Sequence, residues 1–123
     1  MNYDLEKIRV ACLELMGWRR ETSQNWLDKQ ADVIWTGPDG KARYEGLPLP
    51  NPIPEPTKSL DAVLLLMGKY EISLGHPLAP DWKWEAYSAN YAIECFDESP
   101  ALAVCLCALR CAGRILEDFE ASP

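Results

Sequence analysis

A chain of 123 residues, 48% hydrophobic and 25% charged, can bury a core without metals or disulfides, which excludes an intrinsically disordered protein. Its formal charge of −7 argues against duplex nucleic acid as a partner, because phosphate binding needs a basic field. The charge is uneven: residues 1–20 carry +1 and the remainder −8, so a basic spot is expected at the end of the first helix on an acidic body.

Asn2 is a suitable cap for a first helix in which Leu5, Ile8, Cys12 and Leu15 recur at helical spacing. Asp4 and Glu6 suit its positive end, and Gly17 is a good stop. Trp18-Arg19-Arg20 and a polar stretch to about Gln30 follow. Residues 31–36 read as a strand, Gly37-Pro38-Asp39-Gly40 as a turn, and residues 41–45 as the returning strand.

Residues 47–56 carry a proline at every even position from Pro48 to Pro56. Each ring fixes its own φ and excludes the preceding residue from the helical region, so the segment must be extended. A ligand for a proline-reading domain and a stiff connector are the two readings. The connector is favoured because no basic residue accompanies the prolines.

Thr57 or Ser59 opens a second helix with Leu60, Val63, Leu64 and Met67 on one face. Residues 72–80 form a loop or short strand holding His76, the single histidine. Residues 82–87 alternate as a strand, and 90–96 supply its partner. Ser99-Pro100 is a side-chain cap followed by a proline at the first helical position, and it starts a helix read over 99–119. Residues 101–109 hold no charge and no polar group larger than a thiol, so this helix should be buried on most sides. The expected fold class is α+β: a single domain over 1–123, a sandwich of a small, mostly antiparallel sheet with helices packed on it, in the order α-ββ-α-ββ-α.

Cys12, Cys95, Cys105, Cys107 and Cys111 are an odd set, three of them within seven residues of one helix. Side chains at i,i+4 on a helix stand about 5–6 Å apart at Cβ, too far for a comfortable disulfide. No signal peptide is evident, and the longest apolar run is about half a membrane span. The expectation is a reduced, soluble, cytoplasmic protein with no membrane partner.

Catalytic patterns are weak. No phosphate-binding glycine loop is present. A cysteine nucleophile needs a nearby base, and His76 stands before Pro77 while Cys105 and Cys107 lie inside an apolar helix. The cysteine spacings do not match a zinc site, so the thiols read as small buried hydrophobes and no metal or cofactor is assigned. Glu94, Asp97 and Glu98 cluster before the last helix, where its dipole alone accounts for them.

The aromatic residues carry more. Trp18, Trp35, Trp82 and Trp84 flank strands or helix ends, and Trp18-Arg19-Arg20 and Trp82-Lys83-Trp84 set a ring beside a cation. A ring can stack a base while the cation holds phosphate. The same residues also plug sandwich ends and seal subunit interfaces. The candidate ligand-binding set is Trp18, Arg19, Arg20, Trp35, Arg43, Trp82, Lys83 and Trp84.

The chain resembles the phage ABA sandwich domain family, small proteins of tailed phages and prophages. The likeness rests on Leu15-Met16-Gly17-Trp18-Arg19, on Trp35 with Pro38-Asp39-Gly40, on Ser59-Leu60-Asp61-Ala62, on Trp84, and on Ser99-Pro100-Ala101-Leu102-Ala103. The resemblance implies an α+β sandwich of viral origin and carries over no catalytic residue. The expected function is therefore a non-enzymatic phage accessory protein, a homo-oligomer in the cytoplasm of an infected bacterial cell. It would sequester a small nucleotide-type signal of antiviral defence. The alternatives are an acidic protein–protein inhibitor of a host defence or nucleic-acid-binding protein, and an uncharacterised enzyme.

Overall fold

The computed structural model describes residues 2–24, 31–44, 53–75 and 83–121. Among these residues it is α+β, with three α-helices and two three-stranded antiparallel sheets. Two compact units are distinguished, one of residues 1–12 with 55–123 and one of residues 13–54. Helix α1 (Leu5–Leu15) runs through the division.

Asp4, not Asn2, caps α1: its Oδ1 accepts from the backbone N–H of Glu6 at 3.1 Å and of Lys7 at 3.2 Å. A carboxylate there satisfies two orphan donors and meets the helix dipole. The helix closes as expected before Gly17, whose N–H reaches Glu14 O while Trp18 N–H reaches Leu13 O.

In the unit of residues 13–54, β1 (Arg19–Gln24), β2 (Ala31–Thr36) and β3 (Ala42–Tyr44) form a sheet in that order. The expected hairpin of β2 and β3 is present, and a third strand precedes it where only a polar stretch was expected. That strand starts Arg-Arg-Glu on the sheet's edge, with all three side chains exposed, so no apolar alternation marks it. Between β2 and β3, Gly40 N–H bonds to Gly37 O at 2.9 Å and Gly37 N–H to Lys41 O at 3.1 Å, a tight turn with Pro38 at its first central position.

The other unit contains α2 (Leu60–Lys69), then β4 (Ile72–Gly75), β5 (Trp84–Ser88) and β6 (Ile93–Asp97), and then α3 (Pro100–Cys111). The second sheet also has the order β4-β5-β6: of the loop or short strand read over 72–80, residues 72–75 form the strand, and it joins the expected pair. Helix α3 packs against all three of these strands and against α2. Nine of its twelve residues are buried, as an all-round apolar helix requires. Ser99 caps it, its Oγ accepting from Leu102 N–H at 3.3 Å, and Pro100 stands at the first position.

The helix read over 99–119 is in fact interrupted. Gly113 adopts a left-handed φ of +85°, and Arg114 N–H turns back to Leu109 O at 2.9 Å. A residue without Cβ makes that closure inexpensive. A short 3₁₀ helix (Leu116–Phe119) follows, burying Phe119 beneath the Arg114 guanidinium.

Strand alternation sets the second sheet's two faces. Ile72, Ala86, Ser88 and Cys95 are buried, whereas Ser73, Tyr87, Glu94 and Phe96 are exposed. The buried Ser88 hydroxyl donates to Tyr70 O at 2.6 Å, tying β5 to the end of α2. The buried face of α2 differs from the expected one: Val63, Leu66 and Tyr70 turn inward, and Leu60, Leu64 and Leu65 are exposed. An almost uninterrupted apolar run lets two faces satisfy the same period, and the Tyr70 anchor selects one.

Most of the 47–56 connector lies outside the described residues. Its last residue, Pro56, is fully buried, and Pro56 O accepts from the Cys105 thiol at 3.2 Å. Arg9, 7% exposed, holds Glu6 at 3.1 Å and Glu55 at 3.3 Å. A buried guanidinium needs such partners, and these link α1 to the segment ahead of α2.

Candidate functional site

The sequence-derived candidates fall in both units, and each group is described in its own. Trp18, Arg19, Arg20, Trp35 and Arg43 lie in the unit of residues 13–54, and Lys83 and Trp84 in the other. Trp82 lies outside the described residues, as does His76.

Around the first sheet, Arg20, Trp35 and Arg43 stand opposite one another across β1, β2 and β3. Trp35 is fully buried in the middle of this row. Arg43 is 8% exposed, and its guanidinium lies over the Trp18 ring, 4.9 Å from the centroid. Its Nη2 donates to Asp39 Oδ2 at 2.9 Å, and its Nη1 to Asp39 Oδ1 at 3.4 Å and to Lys41 O at 3.2 Å. This two-pronged pairing engages the fork that a phosphate would need. Gly37 is part of the same clamp, because a Cβ on it would meet Arg43 Nη1 at 2.7 Å and the Trp18 ring at 3.1 Å. Any side chain at 37 would displace the guanidinium.

Arg43 donation and the Lys41 backbone N–H together hold the Asp39 carboxyl down at about 2. A carboxyl depressed in the folded state adds stability that is complete above its ordinary value of 3.8 and disappears as pH falls through about 2. Asp39→Asn should therefore melt below wild type at neutral pH. The difference, followed by tryptophan fluorescence, should shrink as both are acidified from pH 4 towards 2. A difference that stays constant across that range would show that the clamp does not depend on the charged carboxylate.

Arg19 and Arg20 are exposed, and among the described residues neither has an ion-pair partner. As neighbours on a strand they point to opposite faces, so they do not converge on one phosphate. The paired-arginine arrangement suits a helix end and is separated by the strand that forms instead.

The second sheet offers a different surface. Glu85 stands opposite Phe96, and Tyr87 opposite Glu94. Tyr87 is 40% and Phe96 45% exposed, so an aromatic diagonal lies between two carboxylates on the open face. Lys83 is exposed just before β5, and half-buried Trp84 starts the strand opposite Asp97. Neither Tyr87 nor Phe96 stands beside a cation in the sequence, so the pattern of tryptophan next to a basic residue does not include them. The alternation of 84–88 and 93–97 was the available signal.

Among the described residues, no group of three or more His, Cys, Asp or Glu is placed to hold a metal ion, and no helix is long and apolar enough to cross a membrane. No protein-family model, curated protein or solved structure matches the chain.

Proposed function

We propose that this is a non-enzymatic binding protein that docks a basic surface of a partner protein on the open face of its second sheet. The observation that carries this reading is the exposed diagonal of Tyr87 and Phe96, each paired across the sheet with a glutamate. Aromatic side chains anchor interfaces, and flanking carboxylates steer a positively charged partner and fix its register. The unit that bears this face holds 13 acidic against 7 basic residues, so it accounts for nearly all the net charge. A nucleic-acid-binding protein presents the complementary surface. With the phage-like motifs, the role that follows is an accessory protein blocking a host defence or nucleic-acid-binding protein in an infected bacterial cell. The exposed Leu60, Leu64 and Leu65 of α2 suit self-association, which belongs to the same proposal.

A second reading, capture of a small nucleotide-type signal, is favoured by one observation. Arg20 is exposed at the edge of the row whose centre is Trp35, leaving a cation beside an aromatic core. Trp35 itself is buried and Trp18 lies under Arg43, so this ligand would be held by charge more than by stacking.

One experiment separates the two. Wild type and a Tyr87→Ser/Phe96→Ser variant of unchanged circular dichroism are immobilised and exposed to bacterial lysate at low and high salt. The docking reading expects a basic protein retained by wild type at low salt, lost at high salt and lost on the variant. Retention unchanged by the two substitutions overturns it. A melting shift of free wild type with cyclic di- or trinucleotides or ADP-ribose derivatives, abolished by Arg20→Ala, establishes the second reading instead.

A further inference from the structure

Half of the α2 surface stays open to solvent. Val63, Leu66 and Tyr70 turn inward, and the opposite side of the helix presents two rows whose members stand four residues apart. The first row is Leu60, Leu64 and Gly68, and the second is Asp61, Leu65 and Lys69; all six are exposed. Leu64 and Leu65 leave 59% and 57% of their surface uncovered. Gly68 is the least expected member. A glycine inside a helix weakens it relative to alanine. This one keeps a helical backbone with no left-handed φ, and among the described residues a Cβ on it would meet no heavy atom within 4 Å. Neither backbone geometry nor packing among these residues calls for it.

We propose that α2 packs antiparallel on α2 of a second copy of this chain, across a two-fold axis level with Leu64 and Leu65. This gives a geometry to the self-association proposed above and rests on it. Such an axis lays each row against its own reversed copy. Along the first row, Leu60 meets Gly68 of the second copy, and the absent side chain is the hole that receives the leucine. Along the second row, Asp61 meets Lys69 of the second copy on both sides of the axis, with the two Leu65 side chains between. Leu60 and Gly68 are eight residues apart, as are Asp61 and Lys69, a rise of about 12 Å, so one axis serves both rows. A parallel pair would instead set Asp61 against Asp61, Lys69 against Lys69, and glycine against glycine over a void.

Charge selects the occupant. The open side of α2 carries one acid and one base, whereas the unit that bears it holds 13 acidic against 7 basic residues. A basic partner is drawn to the acidic surfaces and gains little on a neutral stripe. A second copy, of the same net charge, approaches most easily where its own charges are complemented. The Lys69 ammonium lies 5.5 Å from the centroid of the Tyr70 ring, beside the negative end of the helix, and the incoming carboxylate adds to that environment. Antiparallel helix dipoles act in the same sense. A seam of about three turns is small for an interface, so the dimer should form at micromolar concentration.

The test is sedimentation velocity of the full chain across the micromolar range, where a monomer–dimer equilibrium is expected. Asp61→Lys and Lys69→Asp should each weaken the dimer about tenfold, because each sets like charges against one another across the seam. The double variant Asp61→Lys/Lys69→Asp should restore it, since reversal matches the exchanged charges again. Gly68→Gln should weaken it about tenfold while circular dichroism is unchanged and the dilute protein melts no lower than wild type, a better helix former having replaced glycine. A dimer indifferent to all three single substitutions, or one that the double exchange fails to restore, overturns this geometry and leaves self-association standing. A wild type that is monomeric throughout overturns both. None of these variants alters Tyr87 or Phe96, so retention of a basic protein on the open sheet face is measured independently.

Discussion

Leu106→Asp should yield no folded protein. Leu106 is buried in the middle of α3, the helix that meets all three strands of the second sheet and α2. Losing the leucine side chain alone costs about 2–5 kcal/mol by the usual large-to-small scale. An unpaired carboxylate in its place adds a desolvation penalty of several kcal/mol more. Domains of this size are stable by about 5–15 kcal/mol, so the sum takes most or all of the margin. Leu106→Met, which keeps the volume, should cost less than about 1.5 kcal/mol and stay folded. The measurement is the far-ultraviolet circular dichroism and melting of the two purified side by side. A Leu106→Asp protein that melts like wild type would mean that α3 is not the core of its unit.

Trp35→Ala should be the most costly truncation in the unit of residues 13–54. Trp35 is fully buried at the centre of the three-stranded row, flanked by Arg20 and Arg43. Removing a buried ring of this size costs about 3–5 kcal/mol, set by how far the surroundings collapse into the space. Urea unfolding followed by the remaining tryptophans should shift its midpoint accordingly, with Trp35→Phe shifting it much less. A loss below about 1 kcal/mol would be incompatible with a sealed ring.

What was legible in the sequence was local chemistry with one solution. Ser99-Pro100 announces the start of α3, Gly37-Pro38-Asp39-Gly40 the turn between β2 and β3, and residues 31–36 the strand β2. What was not legible depended on partners distant in the chain. The edge strand β1 is specified by pairing with β2 and carries no apolar alternation of its own. The stop at Gly113 was masked because Arg110, Arg114 and Glu117 keep helical spacing past it. The face of α2 was chosen by Tyr70 and Ser88, eighteen residues apart.

The site shows the same division. Arg43 reads as a spare cation until Asp39, four residues earlier and across a tight turn, is seen to hold it. That pairing was within reach of the sequence, because a hairpin turn of this length brings the two side chains onto one end of the sheet. The open diagonal of Tyr87 and Phe96 required the register of β5 on β6, which single residues do not reveal.

The antiparallel bridge between Tyr3 and Glu120 bears on how the molecule is made. Asp4 N–H meets Phe119 O at 2.7 Å and Ala121 N–H meets Asn2 O at 2.9 Å, so residues 2–4 are held by residues synthesised long after them. The first sheet, by contrast, is drawn from one continuous stretch and can pair while the ribosome is still adding α3. Contacts of such different sequence separation form at different rates, since a distant pairing must close a long loop first. During synthesis, then, the leading segment waits with Ile8 and Cys12 uncovered. That interval is when a chaperone, a protease or a second nascent copy has its opportunity.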